Sequence, residues 1–143
     1  MSLKEYTDFA NNNQVSYLAT IDGIQPRVRG MMLWFANHDG FYYHTSNTKN
    51  LYHQLVKNPH VEACFFNNNE QTGMKMMRVA GMAEFIEDER LKNQLLEERP
   101  FIRQMSPDPA VPNLVIFRIS HGEAYFWTMA DNMKEGTVPK TRF

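Results

Sequence analysis

Two arginines at alternate positions of an apolar run, Arg27 and Arg29, and the later segment Thr45-Ser46-Asn47-Thr48-Lys49-Asn50 carry the side chains best suited to chemistry. Guanidinium forks pair with phosphate oxygens, and hydroxyls with an ammonium at a helix start add to the backbone N–H groups that a helix leaves unpaired. The chemistry implied is anion binding, in a pocket for a phosphorylated, flat ligand. Each part has an ordinary explanation on its own, since Ser, Thr and Asn commonly cap helices and a first-turn Lys is commonly solvated. The paired arginines together with the turn make the case for a site.

The elements that must position these groups follow from periodicity. Residues 25–35, Gln-Pro-Arg-Val-Arg-Gly-Met-Met-Leu-Trp-Phe, are rich in strand formers, and a period of two puts Arg27 and Arg29 on one face. Asn37-His38-Asp39-Gly40 carries a tight-turn signal, and Phe41-Tyr42-Tyr43-His44-Thr45 resumes as an aromatic strand expected to pair back on the first. Leu51, Tyr52, Leu55 and Val56 then recur at helical spacing until Asn58-Pro59 stops the helix.

The same reasoning extends along the chain. Ser2-Leu3-Lys4-Glu5 has a capping-box pattern, with Leu3, Tyr6, Phe9 and Ala10 as an apolar stripe, so a helix opens the chain. Strands are expected at 15–21, 25–35, 41–45, 60–66 and 74–85, the first three as a meander with Asp22-Gly23 as a further turn. A helix from about Asp88 carries Leu91, Leu95 and Leu96 until Pro100 interrupts it, and a Pro-rich loop follows. Residues 114–119 and 123–128 flank His121-Gly122 as a closing hairpin or one bent strand. Six strands with short helices suit a small barrel.

At 143 residues with 43% hydrophobic content, residues 1–143 read as a single domain with one sizeable core. The 15 basic and 16 acidic residues are dispersed, with a formal net charge of -1, which gives no electrostatic footprint for nucleic acid or an anionic membrane. No apolar run reaches membrane-spanning length. One cysteine and the absence of a signal-peptide pattern lead to the expectation of a reducing, cytoplasmic setting. Cys64, within Val61-Glu62-Ala63-Cys64-Phe65-Phe66, reads as a small buried hydrophobe, and the five histidines show no zinc-like spacing, so no metal site is expected. The ten methionines read as core or interface fillers.

Arg29 in its apolar strand, Gly40-Phe41-Tyr42-Tyr43-His44-Thr45, Lys49, Gln54-Leu55, Asn58-Pro59-His60-Val61 and Arg78-Val79-Ala80-Gly81-Met82-Ala83-Glu84 follow one another as in a known family. From about Val15 to Glu84 the chain resembles the pyridoxamine 5'-phosphate oxidase family and, more broadly, the flavin-binding split barrels related to it. The resemblance implies a mainly β, six-stranded antiparallel split β-barrel with short flanking helices, binding FMN at the interface of a homodimer. Carried over residue by residue, it implies that Arg29 lies near the flavin, that Gly30, Met31 and Met32 run beside its ring, and that Thr45, Ser46 and Lys49 bind its phosphate. Arg27 is added from the shared strand face. Trp127 matches an aromatic that related proteins often place close to the flavin, sometimes across the dimer. One departure is Met76, where the true oxidase tends to carry a glutamine, and another is the C-terminus, Pro139-Lys140-Thr141-Arg142-Phe143, without the oxidase's closing Trp and Arg segment. The expectation is therefore a flavoprotein oxidoreductase passing hydride or electrons between FMN and an unidentified small molecule rather than the oxidase itself, with no catalytic acid or base nameable. The alternative is a non-catalytic flavin, deazaflavin or haem carrier or sensor.

Overall fold

A computed structural model describes residues 2–143. In chain order the elements are α1 (Leu3–Asn12), β1 (Val15–Asp22), β2 (Gln25–Met32), β3 (Phe35–Asn37), β4 (Gly40–Ser46), α2 (Asn50–Lys57), β5 (His60–Asn69), β6 (Gly73–Phe85), α3 (Glu89–Glu98), α4 (Phe101–Met105), β7 (Leu114–Thr128) and β8 (Thr141–Arg142). The strands form one antiparallel sheet in the order β2-β1-β5-β6-β7-β4-β3, with β8 on β7, and the sheet does not close on itself.

Alternation decides which residues the sheet encloses. β1 buries Ser16, Leu18 and Thr20, and β5 buries Val61, Ala63 and Phe65. With Phe41, Tyr43, Met77, Val79, Phe117 and Ile119, the apolar ones among them make the main core. Leu51 and Leu55 of α2 join that core, as do Tyr6 and Ala10 of α1, where Tyr6 stacks on Phe126 with ring centroids 4.6 Å apart. α1 begins after Ser2 as the capping box suggested, but the Ser2 side chain makes no cap bond; the Glu5 N–H donates to the Ser2 carbonyl at 3.1 Å instead. A second cluster lies under α3 and α4, built on Trp34, Tyr42, Leu95 and Ile116. The Asp88 carboxylate starts α3 by accepting from the Arg90 and Leu91 N–H groups, and Pro100 separates α3 from α4.

Eight strands stand where six were expected, and the difference has a local cause. Residues 25–35 do not form one strand. Leu33 and Trp34 are consecutive and both buried, Leu33 in the main core and Trp34 in the second cluster. Their backbone changes partners between them: the Leu33 N–H donates to the Gln14 carbonyl at 2.8 Å, the Trp34 N–H to the Tyr42 carbonyl at 2.9 Å. β2 therefore pairs only with β1, three-residue β3 pairs with β4, and the expected meander becomes two separate ladders. The other addition, β8, is a two-residue strand on the Glu123–Ala124 segment of β7.

Residues 114–128 are one bent strand. His121 has φ 51°, and the register of β6 on β7 slips between Ala80 and Met82. A Cβ on Gly122 would lie 1.8 Å from the Ala80 carbonyl oxygen, so the bend closes only around glycine. Bending lets residues 114–119 of β7 pair with β4 while residues 117–128 pair with β6. Gly122→Ala should thus destabilise the fold by about 3 kcal/mol or more, as a clash with rigid backbone that only a shift of strands relieves; urea denaturation at matched pH measures it.

Candidate functional site

The β2–β3 break brings the end of β2 beside the end of β4. A cleft of about 540 Å³ opens there, lined by Gly30, Met31 and Met32, by His44, Thr45 and Ser46, by Thr48 and Lys49, and by Phe101, Ile102 and Met105 of α4. The volume falls within the range of small-molecule sites. β2 is held in place from inside. Ser16 Oγ donates to the Met31 carbonyl at 3.1 Å, so the Tyr43 hydroxyl, 2.7 Å from Ser16 Oγ, is the donor to it. Burial raises the Tyr43 pKa, which keeps the phenol protonated for that bond.

At the cleft's polar end, Lys49 is the cap residue of α2 and supplies no side-chain cap. Ser46 and Thr48 turn toward each other, with their hydroxyl oxygens 2.8 Å apart and the Thr48 N–H donating to Ser46 Oγ at 3.3 Å. The first intrahelical bond runs from the His53 N–H to the Lys49 carbonyl at 3.5 Å, so the N–H groups of Asn50, Leu51 and Tyr52 find no acceptor among the described residues. Thr45 Oγ1 is buried and has no hydrogen-bond partner either. Unpaired donors, an orphaned hydroxyl, an ammonium and the positive end of a helix dipole are groups of the kind that bind anions.

The floor was not legible in the sequence. Arg99, at the C-terminal cap of α3, reaches back so that Nη2 donates to the Leu33 carbonyl at 2.7 Å and Nη1 approaches His44 Nε2 at 2.8 Å. Arginine has no acceptor, so Nη1 donates and Nε2 accepts, leaving the proton of a neutral imidazole on Nδ1. Burial, then the charges of Arg99 and Lys49, push the His44 pKa down to about 4. The faint signal for Arg99 is its place before Pro100, where the helix must break and a side chain can leave its axis.

Arg27 and Arg29 share a face, paired opposite Thr20 and Leu18, but they line a different cleft, of about 740 Å³, along the flank of α2 with Asn50, His53, Gln54 and Lys57. Arg29 donates from Nη1 to the Leu18 carbonyl at 3.2 Å and Thr20 Oγ1 at 2.7 Å, and from Nη2 to Gln54 Oε1 at 2.6 Å. Arg27 pairs with Asp22 at 3.3 Å. The two clefts meet at the start of α2, where Lys49 lines one and Asn50 the other. Trp127 is in neither: it lies opposite Met76 on β6 and lines a shallow cleft with Met76, Arg78 and Glu135. Cys64 is half-buried on β5, and burial raises its pKa, so its thiol stays protonated at neutral pH. Among the described residues no three His, Cys, Asp or Glu side chains gather as a metal centre would need, and no helix is long and apolar enough to cross a membrane.

A bent, open antiparallel sheet with short helices and a cleft at its edge defines the class: a split-barrel fold. Residues 2–128 match the family model described as pyridoxamine 5'-phosphate oxidase, and the chain belongs to that family. A search of curated proteins finds no match. Among solved structures, a NimC/NimA family protein from Clostridium acetobutylicum is 26% identical, with 96% of this chain and 89% of that one covered and a TM-score of 0.74. An FAD-binding protein from Mesorhizobium loti is 20% identical over 83% and 88% of the two chains (TM-score 0.67). HutZ, the haem storage protein from Vibrio cholerae, is 19% identical over 87% and 92% (TM-score 0.63).

The His44 environment gives the fold an acid limit. The unfolded chain takes up the His44 proton near 6.5 and the folded chain only near 4. Over that window the unfolded state binds more protons, so this contribution to stability is full above about 6.5, declines as pH falls, and is spent below about 4. His44→Gln keeps an acceptor for Arg99 without a titrating group. Urea midpoints between pH 7 and 4 should fall less steeply in the variant than in the native protein.

Proposed function

We propose that the chain binds FMN in the Lys49 cleft and acts as an oxidoreductase between the flavin and a small molecule. The observation that carries the reading is the cleft that sets Lys49, the cap residue of α2, and Thr45, with its unpaired hydroxyl, beside Gly30–Met32. That polar end suits the flavin phosphate. The apolar remainder, from Met31 and Met32 to Phe101 and Met105, suits a flat ring system. A bound flavin supplies hydride or electron transfer, and the chain's residues bind, orient and shield it. Arg99 contributes a fixed positive charge at the cleft floor. His44, held neutral at physiological pH, is an acceptor and not a proton donor. A haem in the same cleft would want an axial donor, and the histidine lining it already has Nε2 engaged by Arg99; this favours flavin over the ligand that HutZ stores. Met76 stands where a glutamine would address the flavin edge, which removes one donor and acceptor from the flavin's surroundings.

A second copy of the chain completes this reading. By ladder register, Met32 and Val15, Gly30, Tyr17, Cys64 and Arg78, and Phe66, Met76 and Trp127 share the outer face of the sheet. Much of it is apolar and open, with Val15 56%, Tyr17 52%, Met32 51% and Phe66 47% exposed. From β2 to β7 is four strand spacings, roughly 19 Å, too far for Trp127 to reach a ligand beside its own β2. A two-fold dimer through this face sets one protomer's β7 over its partner's β2 and covers the patch.

The test is spectroscopic. Purified protein incubated with FMN and freed of excess ligand should retain flavin absorption, and turnover with an organic or pyridine-nucleotide donor would separate an oxidoreductase from a carrier. Lys49→Ala should weaken FMN binding roughly 10- to 150-fold, the equivalent of about 1.5–3 kcal/mol for one charged hydrogen-bond partner, with the melting temperature little changed. Tyr17→Asp should convert a dimer to a monomer in sedimentation and lower flavin affinity with it. Native protein that stays monomeric and binds FMN would refute the shared site.

A further inference from the structure

One wall of the Lys49 cleft is a strap, residues 100–112, made of α4 and the proline-rich loop after it. Among the described residues, every hydrogen bond of this strap ends within residues 99–114. The Ile102 N–H donates to the Arg99 carbonyl at 3.1 Å, the Val111 N–H to the Asp108 carbonyl at 2.9 Å, and the Leu114 N–H to the Val111 carbonyl at 3.1 Å. Arg103 Nη1 donates to the Pro109 carbonyl, and Ser106 Oγ and the Ala110 N–H both donate to Asp108 oxygens. A segment bonded only to itself and its flanks moves as one body without giving up a bond to the sheet.

The anchors of the strap lie just outside it, and both line the cleft. Arg99 is tied to the Leu33 carbonyl and to His44 at one end. At the other, the Asn47 N–H donates to the Asn113 carbonyl at 2.9 Å, so the turn that carries Ser46 and Thr48 also holds the strap. Between the anchors, Ile102 packs on the Trp34 cluster and Val111 is buried. Phe101 and Met105 line the cleft but are 47% and 78% exposed. They are apolar surface without a cover.

Val111 is the strained point of the strap. Its φ is 49°, an outlier for a β-branched residue, and its place before Pro112 biases it toward extended backbone. Such strain persists only where the surroundings impose it, and a hinge is where it is released. We propose that residues 100–112 are a lid, hinged at Arg99–Pro100 and Val111–Pro112, that swings over an occupied cleft, buries Phe101 and Met105 on the ligand's ring and lets Val111 return to extended backbone. The inference rests on the flavin reading above and adds a closing step to it. Burial of the two side chains drives the closure, and the Asn47–Asn113 bond couples the far hinge to the turn where the phosphate is seated.

Amide hydrogen exchange read by mass spectrometry tests it on the native protein, free and incubated with FMN, with bound flavin measured by absorption. In the free protein the amides of residues 101–111 should exchange together, at least about tenfold faster than those of α3 and β7, and bound FMN should slow them by at least about tenfold. A fixed wall shows neither effect. A variant carrying Phe101→Ser and Met105→Ser changes only exposed side chains and should fold; it should release FMN at least about tenfold faster and lose the FMN-dependent slowing of the strap. FMN bound with strap exchange unchanged, a free strap as protected as α3, or a variant that releases FMN no faster overturns the lid and leaves the flavin site standing. Failure of the native protein to retain FMN overturns both.

Discussion

The switch of backbone partners at Leu33–Trp34 governs the rest of the structure. Before it the chain is bonded to β1 at one edge of the sheet, and after it to β4 at the other. Two consecutive buried side chains drive the switch, because a strand presents neighbouring residues to opposite faces and here both faces are covered, one by the main core and one by α3. Once the chain makes this step, the ends of β2 and β4 must lie together, and the cleft is the space they leave. Arg99 locks the step by donating to the Leu33 carbonyl. A residue at the floor of the site thereby also fixes the backbone that creates the site.

What the sequence made legible was what local periodicity decides. Alternation in residues 15–21 and 60–66, the turn at Asp39–Gly40, the stop at Asn58–Pro59 and the interruption at Pro100 all hold. The shared face of Arg27 and Arg29 holds as well. The partner waiting on that face did not show, since Gln54 is far along the chain and meets Arg29 only because Leu51 and Leu55 dock α2 on the main core. The same limit hid Arg99 and His44, which α3 and the Trp34 cluster bring together. The two-residue strand β8 carries too little pattern to be seen at all. Trp127 was legible as an aromatic near a strand end, but its separation from β2 is a property of strand order, which periodicity does not encode.

The short α2 is where these strands of argument meet. It is eight residues, too short to persist alone, and stands on the core through Leu51, Gln54 and Leu55. Its free N–H donors follow Lys49 at the helix start, while Gln54 accepts from both Arg29 and Thr20, whose hydroxyl lies 2.6 Å away. One amide oxygen thus ties the helix to β1 and β2. That bond explains why a helix whose first turn lacks any side-chain cap stays in place: tertiary contacts hold it, and its free donors are left available for an anion instead of being consumed by its own chain.

The chain's near-neutral charge does not contradict an anion site, because the distribution matters more than the sum. Carboxylates neutralise cations elsewhere: Glu62 and Glu135 take Arg78, and Glu84 takes Arg118. Around α2 the pattern reverses. Among the described residues Lys49 and Arg29 make no salt bridge, the acceptors of Arg29 are neutral, and Arg99 is bonded to a carbonyl and a neutral imidazole. Cations left on neutral partners keep their field, and in a partly enclosed cleft that field is less screened than on the open surface. Folding leaves that positive potential beside α2, and binding an anionic ligand is the event that would complete its compensation.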